Sequence, residues 1–138
     1  MSKLIMYYSL SGKTKKFAEK TAAGEGAVLQ EILETKTRGK FSAYFSGAFQ
    51  AMGFKRTAIK PFEADLSAFD EIVIMGPIWA GRPAPAVNSA IDLLPEGKSV
   101  SLICTSGRGG YDLSKTAAFI TARNCNIKET RCYGAIEL

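Results

Sequence analysis

Apolar residues along this chain fall into short runs of two kinds. Leu4–Tyr8, Glu71–Met75 and Val100–Thr105 are near-continuous blocks with the length and branched or aromatic content of buried strands. Between them, apolar positions recur at helical spacing. Phe17, Ala18, Thr21 and Ala22 share one face of a helix predicted over Lys13–Ala23, whose end Gly24 and Gly26 bracket. Ala27–Leu33 predicts a second strand. Ala84–Leu94 predicts a helix closed by Pro95-Glu96-Gly97, Asp112–Asn124 another with Asp112 at its start, and Ile127–Ile136 the last strand. Phe41, Tyr44, Phe45, Ala48, Phe49 and Met52 form a helical stripe, and four of the eight Phe lie between Phe41 and Phe54. That stripe is expected to pack on the sheet, with a lid or a partner surface as the alternative. Thr57–Phe69 reads as a connector containing Pro61. Gly76–Pro83 reads as a loop that stays neither helix nor strand for long.

Strands thus alternate with helices five times. Continuous apolar strands argue for a parallel sheet covered on both faces. Right-handed crossovers make it doubly wound, with ligands at the carboxyl ends of the strands. The 138 residues suit one α/β domain, 1–138, with a sizeable core. No apolar run approaches the ~18 residues of a membrane span. Met1-Ser2-Lys3 leads into a strand without a signal-peptide pattern, so the expected location is cytoplasmic.

Composition narrows the chemistry. The chain has no histidine, the commonest acid–base catalyst and metal ligand. Its three cysteines, Cys104, Cys125 and Cys132, lack C-x-x-C spacing and read as buried thiols, with no metal site expected. Difficult chemistry therefore points to a cofactor. The net charge of +5 is concentrated: Lys36, Arg38, Lys40, Lys55, Arg56 and Lys60 lie in a stretch without Asp or Glu. That stretch is either a solvated rim or a docking patch for an acidic partner, anionic lipid or phosphorylated ligand. No reading motif accompanies it, so nucleic acid is not expected.

Three loops follow strand ends. Ser9-Leu10-Ser11-Gly12-Lys13-Thr14 combines three hydroxyls and a glycine ahead of a helix, which makes an anion site of the helix N-terminus. A nucleotide P-loop needs glycine where Tyr7 stands, and a dinucleotide fingerprint needs three glycines where this turn has one. The second loop carries Trp79, and the third is Ser106-Gly107-Arg108-Gly109-Gly110-Tyr111. In a parallel sheet all three share one edge and one crevice, as a planar phosphorylated cofactor requires.

With these three motifs in order, the chain resembles the flavodoxin-like family over nearly its whole length. The first loop matches the family's FMN phosphate pattern, [S/T]-x-[S/T]-G-x-T. The resemblance implies a five-stranded sheet in the order 2-1-3-4-5 and FMN as cofactor. It implies that Ser9, Ser11 and Thr14 give hydroxyl hydrogen bonds to the phosphate, with amides from Leu10 to Thr14, through Gly12, completing the cradle. Lys13 departs from the family's uncharged residues there. Trp79 is implied to stack on or border the flavin, with Pro77, Ile78 and Ala80 as wall and Gly81 near the reactive edge. Thr105, Ser106, Gly107 and Gly110 line the other side, and Tyr111 is either a second stack or a helix-start packing residue. Arg82 and Arg108 stand where ordinary flavodoxins carry acidic charge; an arginine near the ring stabilises the anionic reduced state.

The family usually adds a helix after the fifth strand, and here Leu138 follows that strand directly. The expectation is that the outer strand is polar, as Glu129 and Arg131 suggest, or that a second subunit covers it in a homodimer. Function is expected to be FMN-dependent electron transfer to a redox partner, docking on Lys36–Lys60. The alternatives are an NAD(P)H-dependent reductase of quinone-type acceptors and a flavin-free binding module.

Overall fold

The computed structural model describes residues 2–36 and 53–135. The elements are β1 (Lys3–Tyr7), α1 (Lys13–Glu25), β2 (Val28–Glu31), a 3-10 turn (Leu66–Ala68), β3 (Glu71–Trp79), β4 (Arg82–Pro83), α2 (Pro85–Ile91), β5 (Ser99–Thr105), α3 (Ser114–Thr121) and β6 (Asn126–Tyr133). The sheet runs β2-β1-β3-β5-β6 with every neighbour parallel, and the two-residue β4 folds back antiparallel on β3. With β4 set aside, this is the expected 2-1-3-4-5 order. The stripe from Phe41 to Met52, with Arg38 and Lys40, lies outside the described residues.

The expected loop after Met75 needs correction. β3 continues through Gly76, Pro77, Ile78 and Trp79, and only then reverses. β1 has already turned away at Tyr8, whose amide donates to the Met75 carbonyl at 3.0 Å. The last part of β3 pairs with β4 instead, and the Ala84 amide donates to the Pro77 carbonyl at 3.0 Å. The two later helices are shorter than their apolar patterns, because their last turns tighten or unwind before Pro95 and Asn124.

One sheet face holds the larger core, built on Leu4, Met6, Ile72, Ile74, Leu102 and Cys104. Every residue of α2 is buried against it. On the other face α1 lays Ala18 and Ala22 over Ile5, Val73, Met75 and Ile103. Beyond α1 this face holds a cavity of about 430 Å³ bordered by Phe17, Tyr133, Lys3, Glu71 and Lys128. Phe17 and Tyr133 meet edge to face at 5.1 Å, and Arg131 lies 4.3 Å over the Tyr133 ring. A bulge between Val100 and Ser101 breaks the β5–β6 register, and bulges re-aim side chains. Lys128 there reaches the buried Glu71 at 2.8 Å, while Lys3 reaches the same carboxylate at 3.0 Å. Lys128 and then Lys3 hold the Glu71 carboxyl below its ordinary value. Glu129 and Arg131 are exposed, so the outer strand is polar where expected. Among the described residues no helix is long and apolar enough to cross a membrane.

Candidate functional site

At the carboxyl end of β1, Ser9 Oγ accepts the Gly12 amide at 3.0 Å and folds the loop back on itself. Gly12 sits at φ 94°, a left-handed conformation that costs glycine little, and the space where a Cβ would stand is open. α1 starts there with no side-chain cap and no acid in its first turn. The Lys16 amide bonds back to the Gly12 carbonyl at 3.1 Å, which leaves the amides ahead of it turned to the loop. The exposed Ser11 hydroxyl has no partner among the described residues. Uncapped amides, a free hydroxyl and open space make an anion cradle.

Thr14 has a partner within the fold. It is buried, and its hydroxyl meets that of Thr105 at 3.0 Å, tying the start of α1 to the end of β5. The two hydroxyls share one bond, so one proton of the pair is left to give.

The second loop is a hairpin. Trp79 pairs with Arg82 and Ile78 with Pro83, across a two-residue turn of Ala80 at φ 51° and Gly81 at φ 80°. Positive φ at both positions suits strand twist. Trp79 is therefore a strand residue, partly buried against the core, with its ring edge-on to Tyr8 at 5.8 Å. The loop expected over Gly76–Pro83 is thus the end of a strand and a hairpin, because strand pairing overrides the Gly and Pro signals.

The third loop is stitched to β6. Ser106 Oγ accepts the Gly109 amide at 2.7 Å, and the Ser106 amide donates to the Tyr133 carbonyl at 2.9 Å. The Gly110 amide reaches the Cys132 carbonyl at 3.2 Å. A Cβ on Gly109 would lie 2.7 Å from the Gly134 nitrogen, so backbone packs directly on backbone.

These contacts bring the loops together. The Thr14–Thr105 bond joins first and third, the Tyr8–Trp79 contact joins first and second, and a Cβ on Gly81 would meet the Tyr111 ring at 3.8 Å, joining second and third. Of the expected site residues, Ser11, Lys13, Ala80, Gly107 and Gly110 are exposed. Ser9, Leu10, Gly12, Pro77, Ile78, Trp79, Gly81, Ser106 and Tyr111 are partly buried, and Thr14 and Thr105 buried. The sequence reading missed Tyr8, whose ring backs Trp79 and whose hydroxyl donates to Glu34. Its place as the last residue of an apolar run before Ser9 was the available signal. It also missed Phe54 and Phe119, which meet edge to face at 5.7 Å. No local pattern announces a pair so distant in the chain.

The rim of the crevice is cationic. Arg108 lies 4.8 Å over Tyr111, Arg82 5.1 Å over Phe54, and Lys115 5.2 Å over the same ring. Asp112 is held below its ordinary carboxyl value by hydrogen bonds from Ser114, with Arg82 adding to the effect. Burial pushes the Cys104 thiol far up, which makes it a poor nucleophile. Among the described residues no group of three potential ligands could hold a metal ion.

No family model matches the chain, and no curated protein matches it. Solved structures do. A flavoprotein from Lactobacillus acidophilus in complex with FMN is 24% identical at a TM-score of 0.78, covering 95% of this chain and 92% of that one. A candidate flavoprotein from Bacteroides eggerthii is 27% identical at 0.79, covering 95% and 87%. A flavodoxin from the Archaea is 14% identical at 0.59, covering 97% and 85%.

Proposed function

We propose that this chain, whose fold is flavodoxin-like, binds FMN non-covalently at the carboxyl edge of its sheet and serves as an electron carrier. The observation that carries this is the convergence of an anion cradle, a Trp-bearing hairpin and a glycine-rich loop on one crevice. The Lactobacillus flavoprotein that shares the fold holds FMN, which supports the reading. The donor set fits the cofactor's phosphate: the Ser11 hydroxyl, the Ser9 proton and the uncapped amides of α1 meet a dianion with charge-assisted bonds. Lys13, exposed in the same turn, adds positive charge.

Bound FMN supplies the redox chemistry. The chain's part is to hold the phosphate, wall the ring and exclude water. Trp79, braced by Tyr8, offers a flat apolar face on one side. Ser106, Gly107 and Tyr111 border the other.

Two measurements test this. The purified protein with added FMN should show a bound-flavin absorption band that comigrates with it on gel filtration. In stopped flow, NADPH should leave the bound flavin oxidised unless a separate reductase is added. Direct, saturable reduction by NADPH would make the protein a reductase instead.

A further inference from the structure

The cations at the crevice mouth are contiguous. From Arg108 the contacts run to Tyr111, to Gly81 at the hairpin tip, to Arg82, to Phe54, and from Phe54 to Lys115. A second layer follows: Phe54 meets Phe119, and Arg56 lies 4.7 Å over Phe119. Arg56 is taken up by Asp92, which its Nε reaches at 2.9 Å. Arg82, Arg108 and Lys115 are exposed and make no ion pair among the described residues. Each rests on an aromatic ring, which holds the charge in place at little cost to its hydration and leaves outward donors free.

We infer that this aromatic-backed rim is a docking surface for the acidic face of a redox partner protein. The inference deepens the FMN proposal and rests on it. The charges come from β4, the third loop and α3 and form one patch, with Arg82 and Lys115 over the same Phe54 ring and Arg108 over Tyr111, so that several donors can meet the acidic side chains of a protein at once. None of the three belongs to the Ser9–Thr14 turn, whose own hydroxyls and amides meet the cofactor's phosphate. A cationic mouth raises the encounter rate with an anionic surface and lowers it with a cationic one, and salt removes both effects.

Holoprotein reduced with dithionite, then freed of reductant, is mixed with ferricyanide or with hexaamminecobalt(III) at low and high salt. Two ferricyanides become ferrocyanide for each two-electron-reduced flavin, whose protons pass to solvent. The ferricyanide rate should fall at least ~5-fold with salt while the cobalt rate rises, the signature of a positive approach path. R82E/K115E should abolish or reverse the ferricyanide slope. K16E/K20E, the same charge change on the outside of α1, should leave most of it. A ferricyanide rate independent of salt, or equal effects of the two double variants, overturns the rim. So does saturable reduction by NADPH that R82E/K115E abolishes, because the rim would then hold a dinucleotide. A colourless protein that takes up no FMN removes the flavin proposal itself. A yellow protein with no salt slope removes only the rim.

Discussion

At the residue scale, Ser11 and Thr14 look equivalent in the sequence and are not equivalent in space. Ser11 is exposed beside uncapped amides; Thr14 is buried and bonded to Thr105. Ser11→Ala should therefore weaken FMN by ~1.5–3 kcal/mol, the worth of a hydrogen bond to a charged group, with apoprotein stability unchanged. Thr14→Ala should weaken FMN and also cost the apoprotein about 1 kcal/mol, from the lost tie between α1 and β5. Fluorescence titration with FMN and urea unfolding of the apoprotein separate the two. Ser11→Ala without effect on affinity contradicts the cradle. The residue types of this cradle were legible in order and spacing. The partner of Thr14 was not, because Thr105 is 91 residues away and hydroxyl pairing depends on register. Lys13 stays exposed, as a charged residue at the start of a helix readily does.

At the element scale, β3 and its hairpin show where local signals fail. Gly76, Pro77 and Gly81 are breakers by composition, yet the first two lie within a strand and only Gly81, with Ala80, turns the chain. Tertiary pairing with β5 decides this: Gly76 opposes Cys104 and Pro77 opposes Thr105. Gly76 is demanded by packing, since a Cβ there would run into the Val87 side chain of α2. Gly76→Ala should cost ~1–3 kcal/mol through overpacking. Val87→Ala in the same chain should recover part of that loss, and additive losses in urea unfolding would contradict the direct clash. Ala80 is the reverse case. At φ 51° it carries the Cβ penalty of the left-handed region, roughly 1–2 kcal/mol. Ala80→Gly should thus stabilise the protein by several tenths of a kcal/mol or more, against the usual entropic cost of glycine. A lower urea midpoint would contradict the turn geometry.

At the scale of the whole molecule, the strand alternation, the sheet order and the shared edge of three loops followed from periodicity and parallel topology. What borders the α1 face did not, because it depends on a bulge and on contacts between strands distant in the chain. The Glu71 carboxylate, buried between Lys128 and Lys3, is part of that border. Its folded pKa lies below the ordinary value of 4.5, so its contribution is complete above that value and is lost as pH falls through the folded pKa. Both lysines keep water contact, which weakens the ion pairs. Glu71→Gln should cost ~1–2 kcal/mol at neutral pH and flatten the loss of stability in acid. An unchanged acid slope would separate Glu71 from the acid sensitivity of the fold. The central claim, that three converging loops form an FMN crevice, is tested most directly by one titration. Apoprotein is mixed with FMN and followed by visible absorption and flavin fluorescence. The structure predicts a saturable one-to-one spectral change that Ser11→Ala weakens; no change with FMN at any concentration would contradict it.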